Sequence, residues 1–497
     1  MTNKPSHKNA RDPATITPEY ILQQRLLREQ RKQREREEKG LNDSTKQEAT
    51  TPPHLRFQKR EMLQVNDPIE DKLKVKIMSY NVLAQCLIRR ELFPTSGNIL
   101  KWSIRSQVLM SEFKHYDADI MCLQELDHVQ YKSFWHSELE KLGYQSKYYR
   151  NTAKGHGVAI FFKKSMFVWK HQSAINYDNE EVPQGLEPRT ITQNIGLIVQ
   201  LDFTSIIRKK YKLSKAGVII GTTHLFWHPF GTFERTRQTY LVLKKIKDFT
   251  SILNSVSGTP RSGYYTFFAG DLNSQPFDSP YLSITAKPIE YSGRSKLVIS
   301  CSLSYRFSKN RGKTSNESIE GGITHVEDPE DPEFGSDNND DDNVHDEKHY
   351  EGQPKDPVPE SFEASEEQLE LVQKIQDVHN SLDMRAISVY ASGYRHVHPE
   401  NSGRDNDRFE PYFSNWAHTW RGLLDYILVV CPWDKTREDH SKRVDTTEEL
   451  QENQLIRLLK LLRLPQPEEM GSEPSGQPRS GQYPSDHLCL MAEVQLL

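Results

Sequence analysis

One short segment constrains this chain more than any other, because an apolar run ends there abruptly in a carboxylate and a carboxamide. Residues 264–269 are mostly apolar, and Gly270-Asp271-Leu272-Asn273 follows them. Successive strand residues point to opposite faces, so Asp271 and Asn273 are predicted to point the same way from the end of a buried strand. Such a pair suits hard-cation chemistry on a phosphate, with one group orienting water and the other holding a phosphoryl oxygen. Alone, the segment fits a polar strand end with a turn equally well.

Further segments repeat this pattern, in which an apolar or β-branched strand delivers a polar group at its end. The residues concerned are Asn81, Glu125, His224, Asp425 and the pair Asp486-His487. Together with Asp271 and Asn273 they form the set of side chains expected of a metal-assisted phosphodiesterase.

In this order the motifs resemble those of the exonuclease–endonuclease–phosphatase superfamily. The similar strings are YNVLAQ (80–85), LQE (123–125), GVAIFFK (157–163), THLFWHP (223–229), GDLNSQP (270–276), GLLDYI (422–427) and YPSDH (483–487). They resemble the branch that holds nocturnin, the carbon-catabolite-repression deadenylases and the 2′-phosphodiesterases, and most of all the fungal Ngl-type RNA exonucleases. The resemblance covers roughly residues 73–497 apart from two insertions. It implies an α/β fold, the four-layer sandwich of two packed mixed sheets flanked by helices, with its site where strand ends converge at one sheet edge.

One position departs from the deadenylase pattern. Deadenylases of this branch usually carry an acid where His228 stands. The departure leaves the predicted metal-binding set intact, but it weakens a specific prediction of poly(A) preference.

The predicted metal site rests on acids at strand ends. Glu125 is the best candidate ligand, since a carboxylate at a buried strand end gives Mg²⁺, or Mn²⁺ as an alternative, one anchor while water and phosphate fill the other positions. The resemblance implies that Asn81 contacts the phosphate or bridges the metal shell. Asn at a strand end is otherwise a common turn former.

The predicted proton chemistry centres on His487, as a general acid or base or as a phosphate-stabilising group. Adjacent residues of a strand point apart, so Asp486 is poorly placed to orient its own neighbour. Asp425 is therefore the better partner for His487, which is also the family's arrangement, and Asp486 is left for the metal.

Three further residues complete the predicted site. Asp271 is expected to orient or deprotonate the attacking water, and Asn273 to position the phosphate. His224 is expected to face the site as a catalytic and phosphate-binding residue, with a satisfied core histidine as the alternative. In the loop after His224, Phe226, Trp227 and Phe230 are expected to pack rather than to stack on a base, and Arg235 and Gln238 to support that loop.

Composition narrows the class of protein. The chain has 497 residues with 35% hydrophobic content, 27% charged residues and 27 prolines, so parts of it are expected to be disordered. Its five cysteines have no CxxC spacing, and Cys122 and Cys489 fall in apolar strand patterns, which predicts reduced, buried thiols. The sequence has no run of about 18 or more apolar residues, so a membrane span is not expected. Its first residues lack the apolar region of a secretory signal, so such a signal is not expected either. We expect an intracellular protein, cytoplasmic, nuclear or nucleolar.

The predicted organisation is a polar leader over residues 1–70 and a catalytic domain over 71–497. Within the leader, Pro18 to Lys39 is predicted to be helical, as a solvated arm or as an RNA-contacting or nuclear-targeting segment. A disordered acidic insertion is predicted over about 307–366, because Val326 to Glu347 holds eleven acids and no Lys or Arg. A second insertion is predicted over about 434–482, with an amphipathic helix from Glu448 to Leu464 that packs on the domain or binds a partner.

Elsewhere strands alternate with helices. Helices are predicted over 104–116, 130–142, 233–253 and 366–378. Strands are predicted over 74–83, 119–125, 145–150, 157–163, 194–203, 217–225, 264–271, 424–430 and 488–495. An excess of strands in such alternation suits two sheets packed face to face with helices outside.

These observations favour a Mg²⁺-dependent 3′→5′ exoribonuclease that acts on RNA 3′ ends and releases nucleoside 5′-monophosphates. The RNA would be ribosomal RNA trimmed at its 3′ end, or poly(A). A 2′-phosphodiesterase or nucleotide phosphatase is the alternative, because it would place one phosphate over the same metal. A non-catalytic RNA-binding module is a third class. No leucine-rich repeat period is present in the sequence, so assembly into a larger complex through such repeats is not expected.

Overall fold

The computed structural model describes residues 51–257, 263–307, 353–436, 444–472 and 476–497. One compact unit runs from Phe57 to Leu497, and the described residues 51–56 lie outside it. The helix predicted from Pro18 to Lys39 and the acidic run from Val326 to Glu347 lie outside the described residues.

Fifteen strands are described. They are β1 (Met62–Gln64), β2 (Leu73–Asn81), β3 (Ile120–Asp127), β4 (Tyr144–Tyr149), β5 (His156–Lys163), β6 (Phe167–Asn176), β7 (Ile195–Phe203), β8 (Gly217–His224), β9 (Tyr264–Asp271), β10 (Met384–Ser388), β11 (Asn415–Ala417), β12 (Trp420–Gly422), β13 (Asp425–Pro432), β14 (Ile456–Leu462) and β15 (Leu490–Leu496). The nine strands predicted from the sequence are all among them.

The described α-helices of six or more residues lie between these strands. They are α1 (Trp102–Tyr116), α2 (His136–Lys141), α3 (Ser205–Lys210), α4 (Thr232–Ser257), α5 (Ser279–Thr285), α6 (Gly293–Ser304), α7 (Glu366–Ser381), α8 (Val389–Val397) and α9 (Thr447–Glu452). A π-helical turn, Tyr131–Trp135, lies inside the helix predicted over 130–142. None of these described helices is long and apolar enough to cross a membrane.

The strands form two large mixed sheets. One has the order β1-β14-β15-β2-β3-β5-β4 and the other β10-β13-β9-β8-β7-β6. Only β2 with β3 and β8 with β9 run parallel among the paired strands of these sheets that the structure describes. The parallel pairs bring the ends of β2, β3, β8 and β9 to one edge of the sandwich.

Side chains point alternately to the two faces of each sheet. One face contributes to the core between the sheets, and the other face packs against helices outside. Ile77 of β2 and Val218 of β8 pack in the cluster between the sheets. Their neighbours point outward, so Met78 packs with Phe113 of α1, and Ile219 packs in the cluster that contains residues of α4. Both faces of these strands are therefore apolar. The predicted four-layer sandwich, with helices outside two packed sheets, is confirmed.

The compact unit begins before residue 71, where the predicted leader was to end. β1 pairs with β14, with Met62 opposite Leu462. Arg60 is buried and donates from Nη2 to the carbonyl oxygen of Cys489 at 2.9 Å. The polar character of residues 57–70 predicts a leader, but β1 pairs within the sheet and the whole segment belongs to the compact unit.

The helix predicted from Glu448 to Leu464 is wrong. Only α9 is helical there, and residues 456–462 form β14, an interior strand between β1 and β15. A β-bulge after Leu458 adds one residue to the ladder, so Leu458 and Leu461 both face the core between the sheets at a spacing of three. That spacing resembles a helical stripe. Part of the predicted second insertion is therefore integral to a sheet.

The remaining cysteine and helix predictions hold. The five cysteines lie in described residues, none forms a disulfide, and Cys122 and Cys489 are buried. The helix predicted over 366–378 is observed as α7, which begins in a capping box at Ser365.

Candidate active site

The predicted residues meet where the two sheets present their strand ends. Asp271 ends β9, and its Cα pairs with that of Asp425 on one side and that of His224 on the other. Asn81 ends β2 in the facing sheet, beside β3 and Glu125. One edge of the sandwich thus collects polar side chains from five strands or their flanks.

Asn81 connects the two sheets. Its Nδ2 donates to Glu125 Oε1 at 2.9 Å and to Asp271 Oδ2 at 3.0 Å. Its Oδ1 accepts from the backbone N–H of Leu83 at 3.0 Å. Both amide hydrogens are therefore committed to carboxylates, and Asn81 occupies a bridging position between them.

Glu125 lies within β3 rather than at its end, because the strand continues to Asp127. A register shift interrupts the β3–β5 ladder between Leu123 and Leu126, and Glu125 has a φ of 56° there. Left-handed backbone is costly for a glutamate, and such strain is found most often at functional sites. The bulge directs the carboxylate to Asn81 and to the backbone N–H of Ala84, which donates to Oε2 at 2.9 Å.

The charge on Glu125 is unfavourable without a cation. Burial, followed by the nearby Asp486 carboxylate, raises the pKa of Glu125 to about 7. A divalent cation would offset both effects, and carboxylate oxygens are the ligands that Mg²⁺ prefers. This fits the predicted metal side, with Glu125 and Asp486 as the acids that would hold the ion.

His487 lies on the opposite side of Asp271 and is held by Asp425. Nδ1 of His487 and Oδ2 of Asp425 are 2.7 Å apart, and both side chains are buried. Ser414 donates to the same Oδ2 at 2.7 Å and accepts from the backbone N–H of Asp425. The other ring nitrogen of His487 lies 3.6 Å from Asp271 Oδ2. The pairing expected from strand geometry is the one observed.

Electrostatics favour a protonated His487. Burial opposes its charge, but the Asp425 and Asp271 carboxylates outweigh burial and raise the pKa of His487 well above its ordinary value. Burial and the Asp425 carboxylate raise the pKa of Asp271. Asp271 is therefore a better proton acceptor than an exposed aspartate.

The site contains a second group of donor atoms with the spacing of a metal site. One donor atom each of Asp271, Asp425 and His487 lies within 4.8 Å of the others. We favour the Glu125 and Asp486 side instead. Nδ1 of His487 already binds Asp425, and the Asp425 oxygen also accepts from Ser414. A protonated histidine has no lone pair for a metal.

His224 faces the site as predicted. Its Nδ1 lies 3.8 Å from Glu125 Oε1 and its Nε2 lies 3.7 Å from Asp271 Oδ2. Burial lowers the pKa of His224 to about 4, so the ring is neutral at physiological pH. The sequence analysis missed His156, whose buried ring lies 6.3 Å from that of His224. His156 begins the antiparallel strand β5, so the pattern of a polar group at the end of an apolar strand does not predict it.

Asn273 follows Asp271 in a left-handed conformation, with a φ of 46°. Its backbone N–H donates to Asp271 Oδ1 at 2.8 Å, and its Nδ2 donates to the carbonyl oxygen of Leu225 at 3.0 Å. The amide is thereby fixed between β9 and the loop after β8.

Arg105 and Asp127 support the site and were not predicted. Arg105 is fully buried on α1 and donates to the carbonyl oxygens of Val82, Leu83 and Pro484. Asp127 accepts from the backbone N–H groups of Gln85 and Cys86 at 2.6 and 2.9 Å. Together they fix the loop after Asn81 and tie it to the loop before His487. The sequence signal for this role is an arginine on the apolar face of α1.

The loop after His224 is packed as predicted. Phe226 and Phe230 are buried, and Arg235 donates to the carbonyl oxygens of Phe226 and His228 at 2.9 and 2.6 Å. Gln238 accepts from the backbone N–H of Phe226 at 3.0 Å.

Comparison with known proteins identifies the family. Residues 78–487 match the model of the Endonuclease/Exonuclease/phosphatase family. The chain is 44% identical to RNA exonuclease NGL2 of Saccharomyces cerevisiae over 99% of this chain and 92% of that protein. It is 36% identical to the probable RNA exonuclease NGL3 of the same species, over 96% of this chain and 90% of that protein.

A solved structure has the same fold. The crystal structure of ANGEL2, a 2′,3′-cyclic phosphatase, superposes with a TM-score of 0.51 at 20% identity, over 88% of this chain and 99% of that one. The family match spans every residue of the site described above. This chain belongs to the Endonuclease/Exonuclease/phosphatase family, a family of nucleases and phosphatases.

Proposed function

We propose that this protein is a Mg²⁺-dependent 3′→5′ exoribonuclease that removes nucleoside 5′-monophosphates from RNA 3′ ends. The observation that carries the proposal is the division of the site into two halves around Asp271. On one side Glu125 is buried, and the carboxylate of the half-buried Asp486 raises its pKa, so this pair of acids suits a cation. On the other side His487 is held by Asp425. Relatives with near full-length similarity carry the name RNA exonuclease, which favours RNA as the substrate.

When bound, Mg²⁺ would supply positive charge to the phosphate oxygens and to the developing charge of the reaction. Asp271 accepts the proton of the attacking water, since burial makes it a stronger base. The water oxygen bonds to phosphorus, and the bond from phosphorus to the 3′ oxygen of the preceding nucleotide breaks. His487 donates from Nε2 to a phosphoryl oxygen while Asp425 holds Nδ1. The 3′ oxygen takes a proton from solvent.

The residues of this site act on one phosphodiester and do not by themselves distinguish the classes of substrate that carry it. A 2′-phosphodiesterase or nucleotide phosphatase would need the same set, and it stays the alternative. His228 is buried against Tyr305 and Phe307, with ring centroids 5.0 and 5.1 Å away. An acid at this position would be costly in such surroundings. We therefore propose RNA 3′ ends in general, ribosomal RNA included, rather than poly(A) alone.

Product analysis tests the proposal. Purified protein with Mg²⁺ is given 3′-tailed RNA, poly(A), 2′-5′ oligoadenylate or NADP in parallel. We expect 5′-monophosphates and stepwise shortening from the 3′ end with the first two, and loss of both with a chelator. Turnover confined to 2′-5′ oligoadenylate or NADP would overturn the proposal in favour of the alternative. The intracellular location, cytoplasmic or nuclear, stays a prediction.

A further inference from the structure

A polar cleft adjoins the site on the side of His224. Its volume is about 510 Å³, and its walls come from the β4–β5 loop and from the β6–β7 connection. Its lining includes Asn151, Asn176, Asp178, Arg189 and Gln193.

Both walls of the cleft are connected to residues at the end of β8 or beside it. Asn194, at the end of the β6–β7 connection, donates from Nδ2 to the carbonyl oxygen of His224 at 2.9 Å. Tyr177, beside Asn176, has its hydroxyl 2.6 Å from Thr223 Oγ1. The opposite wall leads into His156, whose ring neighbours that of His224. Both walls of the cleft are therefore connected to the end of β8 that carries His224.

The walls are held in fixed conformations. Arg150 donates from Nη1 to the carbonyl oxygens of Thr152 and Lys154 at 2.9 and 2.6 Å, which closes the β4–β5 loop on itself. On the other wall, Asp178 accepts from the backbone N–H groups of Thr192 and Gln193. Gln193 has a φ of 54°, the left-handed conformation also found at Glu125 and Asn273. The cleft is thus built before any ligand arrives, which lowers the entropic cost of binding.

Each wall of the cleft supplies an amide donor, Asn151 on one and Asn176 on the other. Asn151 and Asn176 accept with Oδ1 from the N–H groups of Ala153 and Asp178 in their own loops, so the Nδ2 groups are what they can offer to a ligand. The Asp178 carboxylate is occupied by its own wall, since it also accepts from the Thr192 hydroxyl at 2.8 Å. Arg189 adds a cation at the exposed rim. Amide N–H donors held at fixed positions suit phosphate and ribose oxygens.

We infer that this cleft binds the sugar–phosphate backbone of the RNA strand that continues from the scissile linkage, and that Asn151 and Asn176 are its positioning donors. This rests on the proposed function. The rim residues Asn179, Arg189 and Ile191 are exposed, so a continuing strand can leave the cleft, as an exonuclease acting on long RNA requires. Contacts to the sugar–phosphate backbone carry no sequence information, so the cleft should contribute the same binding free energy whatever the base.

The test compares a double variant, Asn151→Ala with Asn176→Ala, with the wild type on two substrates. One is a 5′-labelled single-stranded RNA oligonucleotide, and the other is bis(p-nitrophenyl) phosphate, which is too small to reach the cleft. We expect KM for the RNA to rise about tenfold, as for the loss of two ordinary hydrogen bonds. We expect kcat to stay within about twofold, and turnover of the small diester to be unchanged.

The matched control is Gln145→Ala, which removes an exposed amide near the start of β4, at the other end of the β4–β5 hairpin from the cleft. It should leave both substrates unaffected. An unchanged KM for RNA in the double variant, with the fold intact by thermal melting, would overturn the inference. So would a KM effect found with poly(A) and not with poly(U), because the cleft would then read bases. A wild type that cleaves the small diester but no RNA would instead overturn the proposed function.

Discussion

His487 and Asp425 form a hydrogen bond of 2.7 Å between Nδ1 and Oδ2, although they are 62 residues apart and Asp486 is the adjacent residue. Asp486 instead lies near Glu125 and accepts from Asn415 at 3.4 Å. We therefore propose that Asp425 serves His487 and that Asp486 serves the metal side, and this division is open to test.

Removing Asp425 or His487 should cost similar large factors in kcat, since each disables the same unit. General acid–base groups contribute on the order of 10²–10⁴ in rate. The double variant Asp425→Asn with His487→Ala should be scarcely slower than the slower single variant, because residues acting as one unit are not additive. A kinetic double-mutant cycle measures this, and full additivity would contradict the pairing.

Asp486→Asn should behave differently. We expect it to raise the Mg²⁺ concentration needed for half-maximal rate, with a smaller loss of kcat at saturating metal. The measurement is a Mg²⁺ titration of RNA cleavage beside the Asp425→Asn variant as a control. A loss of kcat with unchanged Mg²⁺ dependence would remove Asp486 from the metal side.

Glu125 should link stability to pH and to metal. Its pKa of about 7 lies above the ordinary 4.5, so between these values the unfolded chain loses the proton while the metal-free fold keeps it. Stability of the metal-free protein therefore falls as pH rises through this window, and Glu125→Gln should remove up to about 3 kcal/mol of that fall. Urea denaturation in chelator at several pH values measures the slope.

Glu112 provides a matched control for that measurement. Burial raises its pKa to about 7 as well, but its hydrogen bond is to Tyr80 on α1's side of the sheet, away from Asp271. Mg²⁺ should raise the melting temperature of the wild type and of Glu112→Gln, and should not raise that of Glu125→Gln. An equal response of all three proteins to Mg²⁺ would contradict a metal at Glu125.

Arg105 should matter for the stability of the fold. Arg105→Met leaves three buried carbonyl oxygens without their donor, so we expect a loss of about 2–4 kcal/mol in the free energy of unfolding. Arg208→Met is the control, since Arg208 is exposed and its ion pair with Asp202 spans 3.7 Å, and it should cost less than about 1 kcal/mol. Similar losses in both variants would show that Arg105 does not hold the two loops.

The sequence predicted those parts of the site that depend on strand periodicity. Asn81, His224 and Asp271 stand where apolar strands stop, and a parallel arrangement brings such ends together. Periodicity failed where a bulge changes the spacing, as at β14, where leucines at a spacing of three mimic a helix. It also missed Ser414 and Arg105, because their roles depend on which loops lie next to each other in three dimensions.

The identity of the released product tests the central claim most directly. Wild type and Glu125→Gln are incubated with Mg²⁺ and single-stranded RNA in water labelled with heavy oxygen, and the released nucleotides are analysed by mass spectrometry. The account predicts nucleoside 5′-monophosphates with one heavy oxygen atom in the phosphate, because water attacks phosphorus and the 3′ oxygen leaves. It predicts almost none from Glu125→Gln. Release of 3′-monophosphates or 2′,3′-cyclic phosphates, or equal yields from both proteins, would contradict it.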